Sequence, residues 1–255
     1  MEKSIHALRT AMLLLAVIMC AHHSSSAQGK SAAVLVPFVG CEADGQGGPV
    51  DPPRGRTRTV LISARLAQRL AYYKMQDGAG VLAPRGWHCF GTYGSNGASL
   101  YVSPDPIKTA DLFSTSSPGF AGPVIQVSFE NGATSGRFAV AKTIARVFPA
   151  HKDFVEAVIA ENIEPADSFP YGPYPGDVLK YRSKDVVEFT TPADAEGLGT
   201  ASRLRKNASP ISGVAILLGE EPNILKVCVR LPAGTGDLTE IIIHQAELDA
   251  DYHAE

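Results

Sequence analysis

The chain has 255 residues, of which 23 are Lys or Arg and 26 are Asp or Glu, giving a formal net charge of −3. This slight acidity argues against a nucleic-acid partner, because such partners require a basic face. The length suffices for a sizeable buried core, and no apolar run after the N-terminal segment is long enough to span a membrane.

The N-terminal segment has the three parts of an export signal. Lys3 and Arg9 supply positive charge, and an apolar run covers residues 11–19. The polar stretch that follows ends in Ser25-Ser26-Ala27, with small side chains at the two positions that a signal peptidase reads. We therefore predict a signal peptide over residues 1–27, because the apolar run is shorter than a membrane-spanning helix.

An alternative is a lipid anchor on Cys20. Met19 stands immediately before it, where a lipoprotein peptidase requires a small residue, so signal cleavage after Ala27 is favoured. The prediction is one exported globular domain over residues 28–255, located in the periplasm or outside the cell, with no membrane span once the signal is removed.

In the first half of the chain, residues 32–39 form an apolar run typical of a strand, and residues 41–58 are rich in Gly, Pro and charge and predict a surface loop. Apolar residues recur every three or four positions over residues 60–75, which predicts a helix. Asn96-Gly97 between two apolar runs indicates a hairpin. The predicted strands here are 81–83, 86–92 and 98–102.

In the second half, a strand is predicted at 124–129, followed by helices over 138–147 and 153–163. Residues 193–210 are polar and predict a long loop. Residues 237–248 fit a helix or a strand, and we favour the helix. Further strands are predicted at 177–181, 186–190, 214–218 and 224–231. The whole pattern predicts an α+β fold, a mostly antiparallel sheet with three to four helices packed on it.

Three cysteines follow the predicted signal, and an exported protein can form disulfides. Cys41 follows the first strand, and Cys89 lies in the hairpin region, so we predict a bridge between these two. Cys228 lies within an apolar stretch and is expected to be a small buried hydrophobe. A catalytic thiol at Cys89 is the alternative.

The segment PRGWHCFGTYGSNG, residues 84–97, concentrates residue types found in binding sites. Arg85, Trp87, His88 and Tyr93 are the candidate binding residues, with the aromatic rings as a stacking wall and His88 as a group that titrates near neutral pH. The structural alternative is a hairpin whose aromatic rings pack in the core.

Gly132-Ala133-Thr134-Ser135-Gly136 stands between a predicted strand and a predicted helix, the setting of a hydrolase nucleophile elbow. Thr replaces the expected Ser, and a helix-capping role for Thr134 or Ser135 is the alternative. A secreted hydrolase with Thr134 or Ser95 as a hydroxyl nucleophile is our second functional hypothesis.

No cofactor or metal is predicted. The four histidines after the signal have no ligand spacing, and the acidic residues between 41 and 58 lack the alternating pattern of a calcium loop. The segment FPYGPYPGD, residues 169–177, presents aromatic and proline surface and is a further binding candidate.

The stretches APRGWHCFGTYGSNGASLYVSP, residues 83–104, and EGLGTASRLRKNASPISGVAILLG, residues 196–219, resemble uncharacterised exported bacterial proteins. The resemblance implies export and carries no activity. Separately from this resemblance, our leading hypothesis is a non-enzymatic binding domain with the Trp87-His88 hairpin at or near the binding surface and with a small molecule or another envelope component as its partner.

Overall fold

The computed structural model describes residues 32–114 and 116–252, and these belong to one compact unit. The predicted signal peptide and Cys20 lie outside the described residues. Twelve strands are present there: β1 (Ala32–Gly40), β2 (Ala43–Gly45), β3 (Thr57–Ile62), β4 (Leu70–Lys74), β5 (Val81–Pro84), β6 (His88–Gly94), β7 (Gly97–Ser103), β8 (Val124–Glu130), β9 (Val178–Tyr181), β10 (Val186–Thr191), β11 (Ile211–Leu218) and β12 (Asn223–Arg230).

Five α-helices accompany these strands in the described part of the chain. They are α1 (Ala64–Ala67), α2 (Thr109–Phe113), α3 (Arg137–Val147), α4 (Lys152–Ala160) and α5 (Thr239–Tyr252). The first two are single turns, and three short 3₁₀ segments lie at Pro149–His151, Ala166–Ser168 and Gly236–Leu238.

The smaller sheet has four strands in the order β3-β1-β4-β5. Strand β1 pairs antiparallel with β3 through its first part and parallel with β4 through its last three residues. Strand β1 therefore joins β3 to β4 within the smaller sheet.

The larger sheet has eight strands in the order β2-β6-β7-β8-β12-β11-β10-β9. Consecutive hairpins build each half, and β8 pairs with β12, which joins the halves. The short strand β2 pairs parallel with β6 at one edge.

The two faces of the larger sheet bury different cores. Because side chains alternate between faces along a strand, Val127, Leu225 and Val227 pack toward the smaller sheet and α5. Ile224 and Cys228 pack on the other face, in the core that α3 and α4 cover. Strands β11 and β12 are apolar on both faces, which explains why they read as continuous apolar runs.

The α+β prediction is confirmed, but its details are corrected. There are two sheets and both are mixed, because β1 with β4 and β2 with β6 run parallel. Five helices replace the predicted three to four, since the single turns α1 and α2 are too short to show a helical period.

The predicted helix over residues 60–75 is wrong. This segment contains the end of β3, the single turn α1 and strand β4. The five residues of β4 read LAYYK, and its first four are buried. A strand buried on both faces has no alternation, so its apolar residues can also match a helical spacing.

The predicted hairpin at Asn96-Gly97 is confirmed between β6 and β7. Gly97 has φ +147°, and a Cβ there would lie 1.9 Å from the carbonyl oxygen of Phe129. Glycine is therefore required both by the backbone conformation and by the close approach of β8.

No helix in residues 32–114 and 116–252 combines the length and the apolar character needed to cross a membrane.

Candidate functional site

One cavity lies between the two sheets and α5. Its volume is about 460 Å³, within the range of about 300 to 1,000 Å³ that holds small-molecule ligands. Strands β4, β6, β7, β8, β11 and β12 contribute to the wall, together with the turn after β4 and the last turns of α5. Its apolar lining side chains are Ala79, Ala98, Val127, Phe129, Leu218, Leu225, Val227, Ala246 and Ala250.

Strand alternation makes this wall apolar. Val127 and Phe129 of β8, and Leu225 and Val227 of β12, project to the same face of the larger sheet. The small side chains Ala246 and Ala250 stand one helical turn apart on α5 and face the cavity. Small residues on the helix opposite large ones on the strands leave the space between them open.

One end of the cavity carries a polar network around Asp249. The hydroxyl of Tyr72 donates a hydrogen bond of 2.7 Å to Oδ2 of Asp249, and the Gln245 amide donates to Oδ1 at 3.0 Å. The guanidinium of Arg58 lies 3.5 Å from Oδ1 and 5.3 Å from the centre of the Tyr72 ring. The Asp249 side chain is only 13% exposed, so these partners compensate for the loss of water.

Tyr72 remains a hydrogen-bond donor at all ordinary pH values. Burial first, and then the negative charge of Asp249, raise the pKa of its hydroxyl well above the usual range. The ionisable lining groups other than tyrosine are Asp77 and Asp249, and both are acids. The ionisable groups of the lining other than tyrosine are therefore all carboxyl groups.

The four binding residues predicted from the sequence do not converge on one cavity. Tyr93 lines the large cavity, and its hydroxyl donates to the Gly48 carbonyl. Arg85 is exposed, and its guanidinium donates to the carbonyl oxygens of Leu70 and Ala67 at 3.0 and 2.6 Å.

Trp87 and His88 also lie away from this lining. Trp87 is partly buried against the core, and its backbone N–H donates to the Tyr73 hydroxyl at 3.1 Å. His88 is exposed at the start of β6. The structural alternative, in which aromatic side chains of this hairpin pack against the core, fits Trp87 and Tyr93.

The predicted disulfide between Cys41 and Cys89 is confirmed. It joins the residue after β1 to the second residue of β6, and the two Cα atoms lie 5.5 Å apart. It therefore links the two sheets. Cys228 is a free buried thiol, and burial raises its pKa, which opposes a nucleophilic role.

The candidate hydroxyl nucleophiles have other partners. The Thr134 hydroxyl donates to the Asn131 carbonyl and accepts from the Gly136 N–H, and Gly136 itself occupies the N-cap of α3 without a side-chain cap. Ser95 Oγ lies 3.4 Å from Ser135 Oγ. Within the described chain, no histidine forms a hydrogen bond with either nucleophile candidate.

The histidine–acid contacts lie elsewhere. His151 Nε2 lies 2.6 Å from Asp185 Oδ1, and His244 lies 3.5 Å from Glu247. In the described ranges, no three His, Cys, Asp or Glu side chains gather into a potential metal site.

Sequence reasoning missed Tyr72, Asp249 and the alanines of α5. Tyr72 fell inside the wrongly predicted helix, while Asp249 follows the segment predicted to be the last helix. The one usable signal was the pair Ala246 and Ala250, small residues at a spacing of four that mark an unfilled stripe on a helix.

Comparison with known proteins finds no relative: the chain matches no family model, no curated protein and no solved structure. The resemblance to uncharacterised exported bacterial proteins stays a prediction.

Proposed function

We propose that this protein binds a small, mainly apolar molecule in the cavity between its two sheets and α5. The observation that carries the proposal is the cavity itself, about 460 Å³ in volume and lined by apolar side chains from both sheets and the helix. An apolar pocket with a few polar groups at one end is the usual form of a ligand site.

The charge of the lining narrows the ligand class. Asp77 and Asp249 are acids, and Arg58, beside Asp249, is not part of the lining. An anionic head group would meet like charge, whereas a hydroxyl or an amine would meet acceptors. The proposed ligand is therefore neutral or cationic at its polar end.

We also propose that the protein works outside the cytoplasm. The disulfide between Cys41 and Cys89 is compatible with an oxidising compartment, and residues 1–27 have the composition of an export signal. N-terminal sequencing of the protein recovered from outside the cytoplasm is expected to start at Gln28; a start at Cys20 would instead indicate the lipid-anchored form.

Dye titration tests the cavity directly. Nile red is neutral and apolar, and its fluorescence is expected to rise on binding to the folded protein. The anionic dye 8-anilinonaphthalene-1-sulfonate is expected to bind at least about tenfold more weakly, which corresponds to about 1.4 kcal/mol of unfavourable charge contact. Stronger binding of the anionic dye would contradict the assigned ligand class.

A cavity-filling variant with a matched control locates the bound dye. Ala98→Trp places an indole ring in the wall of the cavity, whereas Ala157→Trp adds the same ring at an exposed position of α4. We expect Ala98→Trp to abolish Nile red binding and Ala157→Trp to preserve it. Equal binding by both variants would show that the dye occupies another surface.

A further inference from the structure

A second cavity lies on the opposite face of strands β8 and β12. Its volume is about 220 Å³, below the range of about 300 to 1,000 Å³ that is typical of drug-sized ligands. Helix α3 and the segments around Tyr174 and Ala201 close its other sides. The space suits a molecule of the size of an amino acid.

Strand alternation gives this cavity a character opposite to that of the first. Val127 and Phe129 face the apolar cavity, so Ser128 and Glu130 face the other side. On β12, Lys226 projects to that side, directly opposite Ser128 in register, while Glu130 is opposite Ile224. Glu130 and Lys226 are therefore diagonal cross-strand neighbours.

Helix α3 adds two cations to the wall. Lys142 and Arg146 stand one turn apart, and both line the cavity. Lys142 pairs with Glu164 at 2.7 Å, so its charge is neutralised. The Arg146 guanidinium packs 4.1 Å above the Tyr174 ring and uses one nitrogen, Nη1, to bond the Gly172 carbonyl.

Glu130 is the unexplained group of this cavity. Its Oε2 is buried and has no hydrogen-bond partner in the described structure. A buried carboxylate oxygen without a donor is costly, and such groups in native proteins call for an explanation. Lys226 does not supply the donor: its ammonium donates to the Ala201 carbonyl, and Glu130 Oε2 has no partner within hydrogen-bond distance in the described chain.

We propose that this cavity binds a free α-amino acid, with its ammonium group at Glu130 and its carboxylate at Arg146. Both complementary groups line the same small space: Glu130 Oε2 has no hydrogen-bond partner, and Arg146 uses Nη1 for the Gly172 carbonyl, which leaves other guanidinium N–H groups for a ligand. Lys226 balances the charge of Glu130 from the neighbouring strand, and the aromatic ring of Tyr174 fixes the guanidinium plane.

Isothermal titration calorimetry with matched ligands tests both halves of the recognition. The probes are the common L-amino acids at millimolar concentration, each compared with its N-acetyl derivative and its methyl ester. Binding is expected for the amino acid, with at least about tenfold weaker binding of both derivatives. Absence of binding by every amino acid, or equal binding of an amino acid and its N-acetyl derivative, would overturn the proposal.

Variants assign the contacts. Glu130→Gln and Arg146→Met are each expected to weaken binding of the amino acid at least about tenfold. The control is Arg137→Gln. Arg137 is also on α3, but its guanidinium bonds Glu161 and does not line the cavity. A similar loss in the control would show that the effect is on the helix and would contradict the assignment.

The proposed amino-acid site and the proposed apolar ligand site can be tested separately. The Ala98→Trp variant should lose Nile red and keep the amino acid, while Glu130→Gln should do the reverse. If a variant fails to fold, as judged by near-ultraviolet circular dichroism, calorimetry of the unmodified protein with the amino acids and their derivatives still tests the proposed site.

Discussion

The hydroxyl of Tyr72 on β4 donates to Oδ2 of Asp249 on α5 at 2.7 Å, across 177 residues of sequence. This bond fastens the last helix to the smaller sheet at the polar end of the apolar cavity. The same atoms therefore serve fold stability and line the cavity of the proposed ligand site.

Asp249→Ala is expected to destabilise the protein more than Tyr72→Phe. Removing the carboxylate leaves the buried Tyr72 hydroxyl and the Gln245 amide without their acceptor, at a cost of about 1 to 3 kcal/mol. Removing only the hydroxyl leaves Asp249 with Gln245 and Arg58, and is expected to cost about 1 kcal/mol. Urea unfolding measures both, and the reverse order would show that Asp249 is not the centre of the network.

Loss of the disulfide is expected to lower the free energy of unfolding without changing the fold. The bridge spans 48 residues, and the chain-entropy relation gives about 3 to 4 kcal/mol for a loop of this length. The Cys41→Ser and Cys89→Ser double variant, compared with the parent in urea, measures the loss. The control is Cys228→Ser, which leaves the bridge intact, and in the native parent the buried Cys228 should resist thiol reagents until urea is added.

The raised pKa of Glu130 predicts how the stability of the protein depends on pH. Burial raises its pKa from 4.5 to about 6, with Lys226 opposing the rise, and Lys142 and Arg146 are the other charged groups that line its cavity. The folded state therefore binds this proton more tightly than the unfolded state. The resulting stabilisation is complete below about pH 4.5 and is lost as the pH rises through about 6.

Glu130→Gln removes this dependence. The variant is expected to be more stable than the parent at pH 7 by about 1 kcal/mol, after allowance for the solvent that reaches the carboxyl group, and the difference should shrink toward pH 4.5. Thermal unfolding of both proteins across this range measures it. A difference that does not vary with pH would contradict the raised pKa.

Gly97→Ala tests the tight approach of β7 to β8. Its Cβ would lie 1.9 Å from the Phe129 carbonyl oxygen, so we expect a loss of more than about 2 kcal/mol. Gly86→Ala is the matched control, because Gly86 also has positive φ, +79°, but a Cβ at that position would meet no other atom within 4 Å. The Gly86→Ala variant should lose only about 1 kcal/mol of stability, the cost of a positive φ for alanine. Equal losses in the two variants would show that contact with Phe129 adds nothing.

Local signals in the sequence predicted much of the fold. Asn96-Gly97 indicated its hairpin because positive φ is a local requirement, and α3 was recognisable from its helical spacing, whereas the segment of α5 fitted a helix or a strand and the helix was favoured. Strand β4 was not predicted, because burial on both faces removes the alternation of apolar and polar residues that distinguishes a strand.

The sites depend on pairings that no local pattern shows. Ser128 and Lys226 are 98 residues apart, yet their register decides which side chains of β8 and β12 face each cavity. A sequence reader sees Glu130 as one acid among 26. Only the pairing of these strands places it beside Lys226 and beneath α3, where its lack of a partner becomes visible.

Helix α5 follows every strand in the chain order and provides the final wall of the apolar cavity through Ala246, Asp249 and Ala250. During synthesis, the segments that form the other walls of the cavity are made before α5. The cavity is closed only when α5 packs on β5, β11 and β12. Affinity for the proposed ligand would therefore report completed folding, and a truncation within α5 is expected to open this cavity.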